Sequence, residues 1–66
     1  MRLSVNGRPY ELPEGTLLTG LVAAVVPDPR GIAVALNGSV VRAAEWAATS
    51  LREGDLVEVV TAHQGG

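Results

Sequence analysis

The sequence contains no cysteine, no phenylalanine and no lysine. Without cysteine the chain forms neither a disulfide nor a thiolate zinc site, and it cannot serve as a thiol nucleophile. Any sulfur chemistry it joins must take the sulfur from a partner, because the thioether of Met1 is the only sulfur present. The five basic residues are all arginine: Arg2, Arg8, Arg30, Arg42 and Arg52. An activated acyl group on one copy would therefore meet no ε-amine on another, only the α-amino group of Met1. Seven acidic residues bring the net charge to −2, which lacks the basic footprint of a nucleic-acid binder. Long apolar runs are missing too. The longest segment, Leu17 to Val26, is interrupted by Thr19 and Gly20 and falls short of the roughly 20 residues of a membrane span. Met1-Arg2 leads into a polar alternating stretch rather than a secretory signal, so a cytoplasmic location is expected.

What is present is aliphatic. With 66 residues the chain makes one domain near the lower size limit for folding without a staple. Trp46 and Tyr10 are its only aromatics. Arg2 to Asn6 alternates polar and apolar, as in a half-buried strand with Leu3 and Val5 on one face. Asn6-Gly7 signals a type I′ hairpin turn, which needs positive φ at both central positions. A second strand follows over Arg8 to Leu12, with Tyr10 and Leu12 sharing a face and Pro9 at a non-bonded or edge position.

Thr16 is the expected N-cap of a helix from about Leu17 to Val26. Leu17, Leu18, Leu21, Val22 and Val25 form its apolar face. Pro27-Asp28-Pro29 ends it. The apolar run Ile32–Leu36 predicts a central strand buried on both faces and parallel to the first strand. Asn37-Gly38 repeats the hairpin signal into a short return strand at Val40-Val41. One helical turn around Ala43 to Ala47 places Trp46 as a lid on the core. Arg52-Glu53-Gly54-Asp55 reads as a tight turn before a final strand, Leu56 to Val60. The order is that of an α+β two-layer β-grasp fold, in which a mixed sheet of 4–5 strands packs on one main helix. The boundaries are a domain over residues 1–60 and a flexible tail over residues 61–66.

No side-chain constellation for catalysis or metal binding stands out. His63 is the only histidine, and the serines at 4, 39 and 50 have no neighbouring base. The pairs Glu11/Glu14 and Glu53/Asp55 sit in turns or strand ends, where solvated surface roles are expected. The sequence instead ends on Gly65-Gly66. The bland reading is a frayed end. The chemical reading is that two residues without Cβ let a carboxylate enter a narrow channel unhindered. Such a carboxylate is ionised at neutral pH and inert to nucleophiles until a partner converts it to a mixed anhydride such as an acyl-adenylate.

The segments Leu3-Ser4-Val5-Asn6-Gly7, Thr16 with its leucine-rich helix, and Ala33-Val34-Ala35-Leu36-Asn37-Gly38 form one pattern along the chain. They continue through Val40-Val41, Glu45-Trp46, Leu51-Arg52-Glu53-Gly54-Asp55, Glu58-Val59-Val60 and Gly65-Gly66. On these segments the chain resembles the ThiS family, ubiquitin-like sulfur carriers of thiamine thiazole biosynthesis. The resemblance implies that Gly66 is adenylated by an E1-like enzyme of the ThiF type, using ATP and magnesium. A cysteine-derived persulfide then displaces AMP to leave a thiocarboxylate, and a ThiG-type thiazole synthase accepts the sulfur. Thr61, Ala62, His63, Gln64 and Gly65 would thread the partner's active site. The carrier itself would bind no cofactor or metal and supply no catalytic side chain. Alternatives are a carrier of the molybdopterin-synthase small-subunit type, a ubiquitin-like protein modifier and a plain interaction module. An exposed apolar patch on the outer sheet face is the obvious candidate for docking, and which strand valines face outward is not readable from the sequence.

Overall fold

Asn6 and Gly7, at φ 52° and 82°, reverse the chain between Arg2–Val5 (β1) and Arg8–Glu11 (β2) in the computed structural model, which describes residues 1–61. β1 and β2 pair antiparallel, with Leu3 opposite Tyr10 and Ser4 opposite Pro9. Met1 and Leu12 exchange backbone bonds, so the alternation of the ladder makes Ser4–Pro9 a non-bonded pair. Pro9 thus loses nothing by lacking an N–H. It also stands on an edge, because the five-stranded sheet has the order β2-β1-β5-β3-β4.

The helix, α1, spans Leu18–Val25 and buries Leu18, Leu21 and Val22. The apolar stripe read from the sequence is therefore right at its centre and overdrawn at its start, since Leu17 is 37% exposed. Thr16 does not cap the helix. Its hydroxyl donates to the Pro13 carbonyl, and the first helical N–H, that of Leu18, donates to the carbonyl of Thr49. Leu17 bridges Ser50 in the same place. A backbone segment remote in sequence satisfies what a side chain was expected to satisfy.

Ile32–Leu36 (β3) and Ser39–Val41 (β4) form the second hairpin, turned by Asn37 and Gly38 at φ 52° and 88°. A 3-10 helix, Ala43–Ala48, follows and buries Trp46. Leu56–Thr61 (β5) then enters the middle of the sheet, parallel to β1 and antiparallel to β3. Three expectations change here. The strand parallel to β1 is β5, and β3 runs against it. β3 is central in the ladder but covered on one face only, with Val34 buried beneath α1's layer and Ala33 and Ala35 half-buried on the outside. Small alanines make an apolar run without needing a second layer. Thr61, assigned to the tail, lies in β5 opposite Ile32, so the domain runs one residue further than expected.

The core consists of Leu3, Val5, Leu18, Leu21, Val22, Val34, Trp46, Leu51 and Val57. Each large aliphatic side chain buried there contributes about 1.5–3 kcal/mol. The described residues leave no buried side-chain polar atom without a hydrogen-bond partner.

Candidate functional site

The inner face of the sheet is fixed by the core, so period-2 alternation assigns the outer face. Val57 and Val59 point inward beside Val34, and Leu56, Glu58 and Val60 point outward beside Ala35 and Ala33. Val40 joins them from β4, opposite Ala35. No layer covers this surface among the described residues: Val40 is 74% exposed, and Leu56 and Val60 are each 58% exposed. A shallow groove of about 210 Å³ runs between Ala33, Ala35, Val40, Glu58 and Val60. Glu58 is the one charge set among these apolar side chains. The patch expected on the outer face is present, on the strand that leads toward Gly66.

Asparagine side chains hold β5 at two points, Leu56 and Val59. At its start, Asn37 N–H donates to the Leu56 carbonyl at 2.7 Å, and Leu56 N–H donates to Asn37 Oδ1 at 2.9 Å. Asn37 Nδ2 donates to Asp55 Oδ1 at 3.0 Å, and Asp55 Oδ2 accepts from Arg52 N–H at 2.8 Å, which closes the tight turn. Farther along, Val59 N–H donates to Asn6 Oδ1 at 2.8 Å, and Asn6 Nδ2 donates to the Val59 carbonyl at 3.1 Å. The sequence presents both asparagines as turn residues; their side-chain bonds to β5 require the strand order to be known.

The carboxylates considered as pairs act separately. Glu53 accepts from Arg2 N–H at 2.8 Å, Glu11 from the Arg2 guanidinium at 3.5 Å, and Glu14 lies 3.6 Å from the Met1 amine. Asp28 takes the Arg30 side chain and then its N–H, and these bonds hold its carboxyl below the usual value and raise Arg30. That pair is exposed, in the loop between α1 and β3. Among the described residues, no three of His, Asp and Glu gather to hold a metal ion, and no helix is long and apolar enough to cross a membrane. Of the predicted threading residues, only Thr61 is placed, within β5; Ala62, His63, Gln64, Gly65 and Gly66, the residue expected to be modified, lie outside the described residues.

Comparison with known proteins agrees along the whole chain. The sequence model of the ThiS family matches residues 3–66. A thiazole synthase of Magnetococcus marinus is 36% identical over 66 residues, covering 100% of this chain and 20% of that protein. The chain thus spans about a fifth of that relative's length. The crystal structure of the thiamine biosynthesis protein ThiS from Geobacter metallireducens superposes with a TM-score of 0.88 at 35% identity, over 100% of both chains. The solution structure of a thiamine biosynthesis protein from the same organism gives 0.77 at 35% identity, over 100% of this chain and 88% of that one.

Proposed function

Because the chain belongs to the ThiS family, we propose that it carries sulfur for thiamine biosynthesis in the cytoplasm as a thiocarboxylate on Gly66. The observation that carries this reading is the extent of the family match, which includes Gly65-Gly66 as well as the folded body. A ThiF-type enzyme joins the Gly66 carboxylate to AMP, consuming ATP with magnesium and releasing pyrophosphate. The terminal sulfur of a cysteine-derived persulfide attacks the acyl carbon and AMP leaves. A second thiol then cleaves the sulfur–sulfur bond and frees the thiocarboxylate. Both thiols belong to partners, since this sequence has no cysteine.

The carrier's part is presentation. Five residues follow Thr61, and at about 3.3–3.6 Å each they reach at most ~18 Å from the body. A ThiG-type thiazole synthase receives the sulfur, docked against the outer face of β5, β3 and β4. Two features support that partner and surface. A protein named thiazole synthase contains a segment like this chain, and the exposed Val40, Leu56 and Val60 form an apolar patch of the kind that marks interaction surfaces.

Intact-mass measurement tests the reading. The full chain is incubated with a ThiF-type enzyme, ATP, magnesium, a persulfide donor and a thiol. The expected product has one oxygen replaced by sulfur, confined to the C-terminal peptide. Higher-mass adducts that survive reduction would instead identify a protein modifier, and an unchanged mass would leave only a binding module.

A further inference from the structure

The β1–β5 ladder pairs Ser4 with Leu56 and Val5 with Val57, and its last backbone bond on this edge runs from Asn6 N–H to the Val57 carbonyl at 2.8 Å. In a continuing parallel ladder, the next rung would offer Val59 a carbonyl from Asn6 and an N–H from residue 8. The chain cannot supply them, because Asn6 and Gly7 have already turned it back as β2. The Asn6 side-chain amide occupies that rung instead. Its Oδ1 accepts from Val59 N–H at 2.8 Å and its Nδ2 donates to the Val59 carbonyl at 3.1 Å. One amide stands in for a missing peptide group.

β3 does not duplicate this bond. Asn37 N–H and the Leu56 carbonyl form a bonded pair on the β3 side, so alternation gives hydrogen bonds to Ala35–Glu58 and Ala33–Val60 and none to Val34–Val59. Both backbone groups of Val59 therefore face β1, where Asn6 meets them. Two residues later β5 reaches Thr61, the last described residue before the segment that ends in Gly66.

We infer that Asn6 is a positioning residue for the carrier: its side-chain amide holds β5 to β1 at Val59, beyond the last backbone rung, and so steadies the strand from which the C-terminal segment leaves. The inference rests on the transfer reading above. The turn and the clamp are separable, because glycine takes positive φ freely but has no amide.

The test compares wild type, Asn6→Gly and Asn6→Asp in the full chain. Amide hydrogen exchange is followed at Val59 with Val34 as reference, and charging by a ThiF-type enzyme is followed in steady state. In Asn6→Gly, exchange at Val59 should rise about tenfold relative to Val34, the equivalent of roughly one lost hydrogen-bonding group. Its kcat for charging should fall more than its KM rises, because the substitution loosens how β5 is held and removes no apolar surface side chain. Asn6→Asp keeps an acceptor for Val59 N–H but offers no donor to its carbonyl, and should fall between the two. Unchanged relative exchange at Val59 in both variants would overturn the clamp. Faster exchange with wild-type kcat would overturn its positioning role. If wild type itself gains no sulfur, the transfer reading fails, and the exchange data alone decide whether Asn6 holds the strand.

Discussion

The indole Nε1 of Trp46 donates to the backbone carbonyl of Val41 at 2.8 Å, tying the 3-10 helix to the end of β4. The same ring is buried in the core beside α1's layer, 8% exposed. Trp46 therefore both fills volume and satisfies a strand-end carbonyl. Trp46→Ala should cost about 3–5 kcal/mol, as aromatic truncations in cores do. Domains have about 5–15 kcal/mol to lose, so a chain this small should be largely unfolded or nearly so. Trp46→Phe keeps much of the buried surface but leaves the Val41 carbonyl without its donor, and should cost about 1–3 kcal/mol. Urea unfolding followed by far-ultraviolet circular dichroism separates the two.

Asp55 is the hinge of the turn into β5, with one carboxylate oxygen on Asn37 Nδ2 and the other on Arg52 N–H. Asp55→Ala removes both bonds from a half-exposed site and should lower stability by about 1–3 kcal/mol. Asn37→Gly keeps the positive φ of the turn but loses the acceptor for Leu56 N–H. Its loss should be of similar size, and the double variant should cost less than the sum because the two residues share a bond. Thermal unfolding of the three variants measures the coupling.

Substitutions on the outer face should divide folding from recognition. Val40→Glu and Val60→Glu change side chains that are 74% and 58% exposed, so each should shift stability by about 1 kcal/mol or less. Each places a second carboxylate near Glu58 on the surface proposed to dock. Affinity for a thiazole synthase should fall about tenfold or more, the loss typical of a residue at the centre of an interface. Titration calorimetry with the partner checks this, and undiminished affinity would move the docking surface elsewhere.

Removing Gly66 should abolish sulfur loading while leaving the unfolding midpoint of the domain unchanged. Among the described residues the core lies within Leu3 to Val57, and the last strand residue is Thr61. Mass spectrometry of the loading reaction and a parallel urea titration give both readouts. A large drop in stability on this deletion would contradict a carrier whose C-terminus serves only for delivery.

Much of this architecture was readable from local patterns. The Asn-Gly dipeptides announced both hairpins because their backbone requirement is local, and the Leu18, Leu21, Val22 spacing announced the helix face. Glu58 between Leu56 and Val60 marks the outward side of β5, since an unpaired carboxylate is not buried. That signal was available and identifies the patch once β5 is known to be central. The direction of β3 was not legible, because apolar content says nothing about which neighbour a strand meets. The start of α1 is not legible for a related reason: Thr16 has the right chemistry for a cap, but the Thr49 carbonyl, distant in sequence, accepts from Leu18 N–H. The side-chain roles of Asn6 and Asn37 belong to the same class, being bonds to a strand that arrives last in the sequence.

Placing β5 side by side with β1, both running the same way, has a mechanical corollary. In the proposed delivery, a partner that holds the body and draws on the C-terminal end loads β5 from its end. Traction in that direction strains the rungs on both flanks together, in shear, instead of peeling them one after another from an edge. A load applied at the end of β5 would thus be shared between both of its neighbours.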